Sequence, residues 1–463
     1  MWCVRVDATP ESQVINRAVL QMSFPALNLA LRIAHGSGKL WTNTLIHTLG
    51  YPTDPPPPLA SSHVALLVRE NLVMAKVLQS LVAQRLETGH WYSPWLNNLH
   101  NELLRHTNSV PYEDAICELG LVKAWASARG WVVDGDVPAH AGTVSLVFLM
   151  TDPDSGARYV AKVLRSGIRE RLEKSLAEAW MLTHVVSLVG KVDNETAQRG
   201  MKTVFDALLQ QTDLDAEGAA CRKFGEVCQH IDGVVVPQPV AVVDGCMLIL
   251  EYFDGVSLHE LPTASPHRHT YAQALIKAIF IPILLHGLVH ADMHAGNVLF
   301  RESDGTVAII DFGLVHTANK EAMDGMMEAM PDMLSDNEDP TLFDILATLC
   351  VGGVLEPRDV VKNLDTKQHS ALVTAVANML KDASEASDFG MISTTTRFMP
   401  ELRTLPGCEK LTCAPYGIQL WQAASAVRAL AVGLGGSRAG LITLVDSTLR
   451  GLVHLDLLSD NNT

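Results

Sequence analysis

Apolar residues recur at intervals of three and four through "VALLVRENLVMAKVLQSLVAQRL", residues 64–86, a spacing that predicts an amphipathic helix. Ahead of it the proline run in "YPTDPPPP" interrupts any helix and reads as an extended linker, so residues 1–128 form a helical extension with one break. The pattern then changes period. "TVSLVFLM" and "RYVAKVL" alternate around the turn "TDPDSG", and "VAVVDGCMLILEY" repeats the arrangement around Asp244-Gly245. A helical stretch, 168–230, separates these two hairpins, and together they make a strand-bearing lobe over 129–262. From 263 to 463 the pattern is again mostly helical, broken by one small hairpin with strands "NVLF" and "VAII" and the turn Ser303-Asp304-Gly305. The apolar run "LIKAIFIPILLHGLV" in this part reads as a buried helix with Pro282 kinking it or marking a break.

Directly behind that run comes "HADMHAGNVLF", two histidines, an aspartate and an asparagine at the end of the greasiest segment of the chain. Asp292 and Asn297 are five residues apart, and Asp311 opens an Asp-Phe-Gly after the strand "VAII". Phosphoryl transfer concentrates charge on phosphate oxygens, so it needs a divalent cation held by hard oxygens from two chain segments that a hairpin brings together. Asn297 and Asp311 fit as Mg²⁺ ligands, and Asp292 as the acceptor or base facing the attacking hydroxyl or water. His290 reads as a support for the loop backbone. A zinc site on His290 and His294 is a poorer fit, since Ala291 stands where a glutamate would be needed.

A two-lobed α+β fold of the protein-kinase kind follows from this layout, with an N-terminal helical extension and a mostly helical C-lobe. In the strand lobe Lys162 projects from the otherwise apolar "YVAKVL", where an ammonium needs phosphate or a carboxylate to offset its desolvation. Glu217 in "DLDAEGAACRKFGEV" is the carboxylate that reading selects. "ILEYFDGVSL" runs from strand into linker and suits a hinge, its backbone at Glu251, Tyr252 and Phe253 meeting an adenine edge. Ahead of Lys162 no G-x-G-x-x-G is present, and Ala141 and Gly142 in "VPAHAGTVSLVF" stand where a phosphate-covering loop belongs. The arginine of an H-R-D loop is replaced by Ala291, so the chain departs from the pattern of a standard protein kinase.

These motifs resemble those of the UbiB-like, aarF-domain family of atypical kinases, and within it the divergent eukaryotic branch of aarF-domain kinase two. "HADMHAGN" matches the family's H-A-D-x-H-x-G-N loop, "EGAACRKF" its glutamate helix and "EYFDGVSL" its hinge, over roughly residues 65–320. The resemblance implies ATP and Mg²⁺ as cofactors, weak protein-kinase activity or ATPase activity, and a role in coenzyme Q or isoprenoid-lipid metabolism. It implies as partners a lipid-like or quinone-precursor molecule, a membrane surface and coenzyme Q biosynthetic proteins, and a mitochondrial location. A family K-x-G-Q helix that occludes the substrate site reads here "KVLQ", keeping Lys76 and Gln79 but with Leu78 for the glycine. The family's E-x-D reads "QTD", with Gln211 for the acid and Asp213 kept. A nucleotide-binding pseudokinase scaffold and a small-molecule phosphotransferase of the aminoglycoside or choline kinase type are the alternatives.

Charge and composition narrow the partners. A formal net charge of -16 over 463 residues excludes nucleic acid as a routine partner, so bound phosphate must be met by local groups or metal. Eight cysteines without a C-x-x-C pair read as reduced core thiols. The opening residues carry no clear targeting signal, and no eighteen-residue window is apolar enough to span a membrane.

Overall fold

The computed structural model describes residues 71–73, 76, 115–189, 202, 204–335, 340–385, 399–436 and 438–454. Most of the helical extension, including Gln79 and the proline linker, lies outside them. The chain packs into two compact units, one of residues 1–214 with 241–249, the other of 215–240 with 250–463. The stretch read as one helical insertion is therefore shared between the units.

The first unit is built on a sheet of order β1-β3-β4-β7-β6, from β1 (Val132–Val133), β3 (Ser145–Thr151), β4 (Arg158–Leu164), β6 (Pro239–Val243) and β7 (Met247–Glu251). The short strand β2 (His140–Ala141) pairs with β3 on the side. Strand β3 alternates as its sequence predicts, sending Leu146, Phe148 and Met150 to one buried face. On that face helix α1 (Ile116–Ser127) lays Leu119, Val122 and Ala126, and Ala161, Val163, Met247 and Ile249 complete the core. Each fully buried large side chain there contributes roughly 1.5–3 kcal/mol. The Asp244-Gly245 turn has both residues at positive φ, 49° and 64°, the backbone that a two-residue hairpin with the native strand twist requires.

Helix α2 (Ile168–Val189) follows β4 and supports a second cluster of Val73, Val144, Ile168, Leu172, Ala179 and Leu208. Asn71 is fully buried against it, its amide donating to the Ser175 carbonyl at 2.8 Å and to the Glu178 carboxylate at 3.2 Å.

The second unit begins with α3 (Leu214–Cys228) and β5 (Val234–Val235), which pairs parallel to β10 (Thr306–Ile309). Strand β10 in turn pairs antiparallel with β9 (Val298–Arg301), the expected small hairpin, with Gly305 at φ 71° in its turn. Helix α4 (Arg268–His286) buries Tyr271, Leu275, Ile276 and Ile279, and the Tyr271 hydroxyl donates to the Arg301 carbonyl at 2.9 Å.

The apolar run is not all helix. It continues through Pro282 and stops at Gly287, whose φ of 61° and N–H bond to the Ile283 carbonyl form a left-handed cap. A Cβ at Gly287 would also lie 2.9 Å from the Met323 sulfur. Leu288 and Val289, read from sequence as helical, instead open strand β8 (Leu288–His290), which pairs with β11 (Val315–Thr317). Beyond lie α5 (Lys320–Ser335), α6 (Leu342–Leu349), α7 (Thr366–Glu385), α8 (Pro415–Gly433) and α9 (Arg438–His454). Helix α8, from the apolar run near the C-terminus, buries Ala423, Val427, Leu430 and Ala431. None of the described helices is long and apolar enough to cross a membrane. Cys221, Cys228 and Cys408 are buried free thiols, whereas Cys117 is exposed.

Candidate functional site

Strands β8 and β11 bracket the polar cluster of the second unit. The chain leaves β8 at His290, turns through Asp292 and Met293, and makes one 3-10 turn, Ala295–Asn297, before entering β9. His290 is the centre of this arrangement. Its Nε2 lies 2.7 Å from the Asp311 carbonyl oxygen, which only accepts, so Nε2 carries the proton. Its Nδ1 then accepts the Asp292 N–H at 3.3 Å. One neutral imidazole thus ties the start of the loop to the Asp-Phe-Gly segment, the support role its position predicts. Burial pushes its pKa below the ordinary histidine value, which keeps the ring neutral. The ring packs edge-on to Phe224 and Phe312, with centroids 5.7 and 5.4 Å away.

The Asn297 amide donates to the Asp292 carbonyl at 2.8 Å, closing the loop and committing its nitrogen. The Ile310 N–H donates to the Asn297 carbonyl at 3.0 Å, which joins the loop to the residue before Asp311. One carboxylate oxygen of Asp311 accepts the Gly313 N–H at 3.0 Å. Asn297 and Asp311 therefore each have one side-chain oxygen fixed in role by the other end of the group, on two segments one hydrogen bond apart. Hard oxygens in such a pair suit Mg²⁺, which takes few protein ligands and fills its octahedron with water and phosphate. No group of three or more His, Cys, Asp or Glu that could hold a metal ion occurs among the described residues.

Asp292 is partly exposed, and His294 Nε2 stands 3.7 Å from its Oδ2. The His294 Nδ1 accepts the Gly296 N–H at 3.0 Å, so the nitrogen facing Asp292 is the protonated one. Glu217 is buried in α3 and its Oε1 accepts the Phe312 N–H at 3.4 Å, placing it against the Asp-Phe-Gly backbone. Phe312 in turn packs on Phe224 from the same helix, centroids 5.3 Å apart. Phe224 was not singled out by sequence; an aromatic seven residues from Glu217 on one helix face is the signal available.

The hinge segment also belongs to this unit. The Glu251 N–H donates to the Gln238 carbonyl at 3.0 Å, so that donor is taken by sheet pairing. The Tyr252 hydroxyl lies 3.5 Å from Asp254, and the Phe253 ring is buried beneath the Arg301 guanidinium, 4.6 Å from its centroid. A Cβ at Gly255 would meet that ring at 2.6 Å, and Val256 is bridged to Phe300 by two 2.8 Å backbone bonds.

In the first unit Lys162 is 8% exposed on β4, opposite Val147. The turn between β2 and β3, from Ala141 to Val144, is closed by a Gly142 N–H bond to the Ser145 carbonyl at 2.9 Å. Arg165, just past β4, donates from Nε and Nη2 to the Gly142 carbonyl at 3.0 and 2.8 Å. The buried Glu118 of α1 accepts the Ser166 N–H at 2.6 Å, fixing the same corner. Gln211 and Asp213 flank Thr212, which is held by Arg169 through its hydroxyl at 3.1 Å and its carbonyl at 3.3 Å. Lys76 is a half-buried helical residue.

Residues 138–342 match the ABC1 atypical kinase-like domain. An uncharacterized chloroplastic aarF domain-containing protein kinase of Arabidopsis thaliana is 25% identical over 251 residues, 53% of this chain and 33% of that protein. The probable protein kinase UbiB of Aliivibrio salmonicida is 24% identical over 206 residues, 42% of this chain and 37% of its own length. The chain thus spans well under half of those relatives. Among solved structures, the Rv3197–erythromycin complex from Mycobacterium tuberculosis aligns over 58% of this chain and 82% of its own at 18% identity, with a TM-score of 0.35.

Proposed function

Because residues 138–342 form an ABC1 atypical kinase-like domain, with the kinase-like fold that goes with it, we propose that the protein binds Mg-ATP and activates its terminal phosphate. Asn297 and Asp311 hold the magnesium ion, whose charge offsets that of the phosphates. Asp292 accepts the proton of the attacking hydroxyl or water, with His294 beside it as a second polar group. Lys162 is the lysine assigned to the phosphates and Glu217 the helix carboxylate that the family resemblance matches, while the Glu251 carbonyl and the backbone of Tyr252 and Phe253 recognise the adenine. Ala141 and Gly142 lie over the phosphates. Lys76, Gln79, Gln211 and Asp213 match positions in the segments that cover the acceptor site in the resembling family, and that resemblance favours water or a small lipid-like acceptor over a protein.

The observation that supports this most directly is the double tie at Asn297. Its amide is committed to Asp292 and its carbonyl to Ile310, which turns its remaining oxygen and the Asp311 carboxylate into a matched pair of hard donors. The family resemblance supports coenzyme Q or isoprenoid-lipid metabolism as the setting, with a quinone precursor as acceptor, and the chloroplastic relative supports an organellar location of mitochondrial or plastidial type.

ATP turnover with and without liposomes and phenolic quinone precursors tests the reading. Magnesium-dependent hydrolysis or transfer that rises with lipid is the expected result. Nucleotide-dependent thermal stabilisation with no turnover under any condition would leave a pseudokinase scaffold, and no stabilisation at all would end the nucleotide reading.

A further inference from the structure

The turn between β2 and β3 has one glycine, and that glycine is not sterically required. Gly142 is not in the left-handed region, and a Cβ on it would rest 3.5 Å from the Ser145 carbonyl oxygen, an ordinary contact. The conformation of this turn must come from elsewhere. Three hydrogen bonds from Arg165 supply it: Nε and Nη2 to the Gly142 carbonyl at 3.0 and 2.8 Å, and its backbone N–H to the Val144 carbonyl at 3.0 Å.

A trans peptide is planar, with its C=O and N–H pointing in opposite directions. Gripping the Gly142 carbonyl from the Arg165 side therefore sends the Thr143 N–H out of the opposite side of the turn. That N–H has no hydrogen-bond acceptor among the described residues. A cation on the carbonyl also polarises the peptide, which strengthens the N–H as a donor. Backbone N–H groups aimed outward from a turn are what a phosphate oxygen seeks. Glycine-rich loops reach that state through conformational freedom, whereas here an arginine imposes it on a loop that lacks the glycines.

We infer that Arg165 is a positioning residue that holds the Gly142–Val144 turn so that the Thr143 N–H is presented to a nucleotide phosphate. This rests on the nucleotide-binding reading above. Arg165 does not touch the nucleotide itself; it acts through the Gly142 peptide.

Titration of the full chain with Mg-ATP and with adenosine, for the wild type, Arg165→Met and Arg165→Lys, tests it. Arg165→Met removes the guanidinium while keeping a long apolar stem, and is expected to weaken Mg-ATP binding roughly tenfold while leaving adenosine binding unchanged. Arg165→Lys, which can offer one hydrogen bond to the carbonyl, is expected to fall between. A merely structural role would weaken both ligands together, and an unchanged ratio of ATP to adenosine affinity in Arg165→Met overturns the inference. Where that variant does not fold, amide hydrogen exchange on the wild type decides: Mg-ATP should protect the Thr143 N–H and adenosine should not, and equal exchange with both refutes it. A wild type that binds no nucleotide fails the underlying reading, whereas a wild type that binds while Arg165→Met matches it fails this one alone.

Discussion

The loop at 290–297 and the turn at 142–145 are both polar segments attached to apolar strands, and they are held by opposite means. The loop is organised from within by a buried neutral imidazole, a buried amide and backbone groups a few residues away, plus the Asp-Phe-Gly segment that a short hairpin returns to it. The turn is held from outside by a half-exposed arginine about twenty residues further along, which arrives by way of strand β4. Neutral buried hydrogen bonds are insensitive to salt but costly to break, because the partner left behind has no water. A partly exposed guanidinium on a carbonyl is weaker and more easily adjusted. The loop is thus built for fixed geometry and the turn for tuning.

Breaking the loop should have the larger effects. Asp311→Asn keeps an oxygen for the Gly313 N–H but removes the charge, and is expected to abolish Mg²⁺-dependent nucleotide binding while the fold survives. Unchanged ATP-dependent thermal stabilisation in that variant would remove Asp311 from the metal site. His290→Ala leaves the Asp311 carbonyl and the Asp292 N–H without their partner and opens a cavity beside Phe224 and Phe312, at a cost of about 3 kcal/mol. Denaturant midpoints measure it, and a loss of only a few tenths would mean the loop is held by something else.

On the strand side the effects should be smaller. Lys162→Ala is expected to weaken ATP binding by about ten- to a hundredfold in a protein that still folds, and loss of soluble expression would instead make the residue structural.

The smallest expected effect is on pH dependence. His290 is pushed below the ordinary histidine value by burial, as are His286 and His316. Below about pH 6.5 the unfolded chain takes up protons that these rings resist, so stability falls as pH drops from that value toward their folded-state values. The buried His290 can add up to about 1.4 kcal/mol per pH unit in that window, and the more exposed His286 and His316 add less. His290→Gln keeps a donor and an acceptor but no titration, so its thermal midpoint should fall less steeply between pH 7.5 and 5.5. Identical slopes in the two proteins would show that His290 titrates as freely folded as unfolded.

The difference between loop and turn is also the difference between what could be read and what could not. Asp292, Asn297 and Asp311 were legible because a loop and a hairpin with a short turn bring them together within twenty residues. The spacing of residues is then nearly the geometry. The strands Arg158–Leu164 and Met247–Glu251 were legible as short apolar runs beside turn residues. Strands β8 and β11 were not, because three-residue strands carry no period of their own, and only Gly287 marks where the apolar helix gives way to Leu288 and Val289. The parallel pairing of β5 with β10 joins residues more than seventy apart and leaves no local trace. Arg165 escaped notice for the same reason, since nothing about an arginine after a strand says which carbonyl it will reach.

The sequence alone determined the period of each segment, the acids and amide of the loop, and the absence of a glycine-rich phosphate loop, because these depend on neighbours in the chain and on side-chain chemistry. Tertiary structure decided which histidine nitrogen bears the proton, that Glu217 rests on the Phe312 N–H, and that Arg165 orients Gly142. Those are hydrogen bonds across long chain separations, and their direction is set by packing that no single segment encodes.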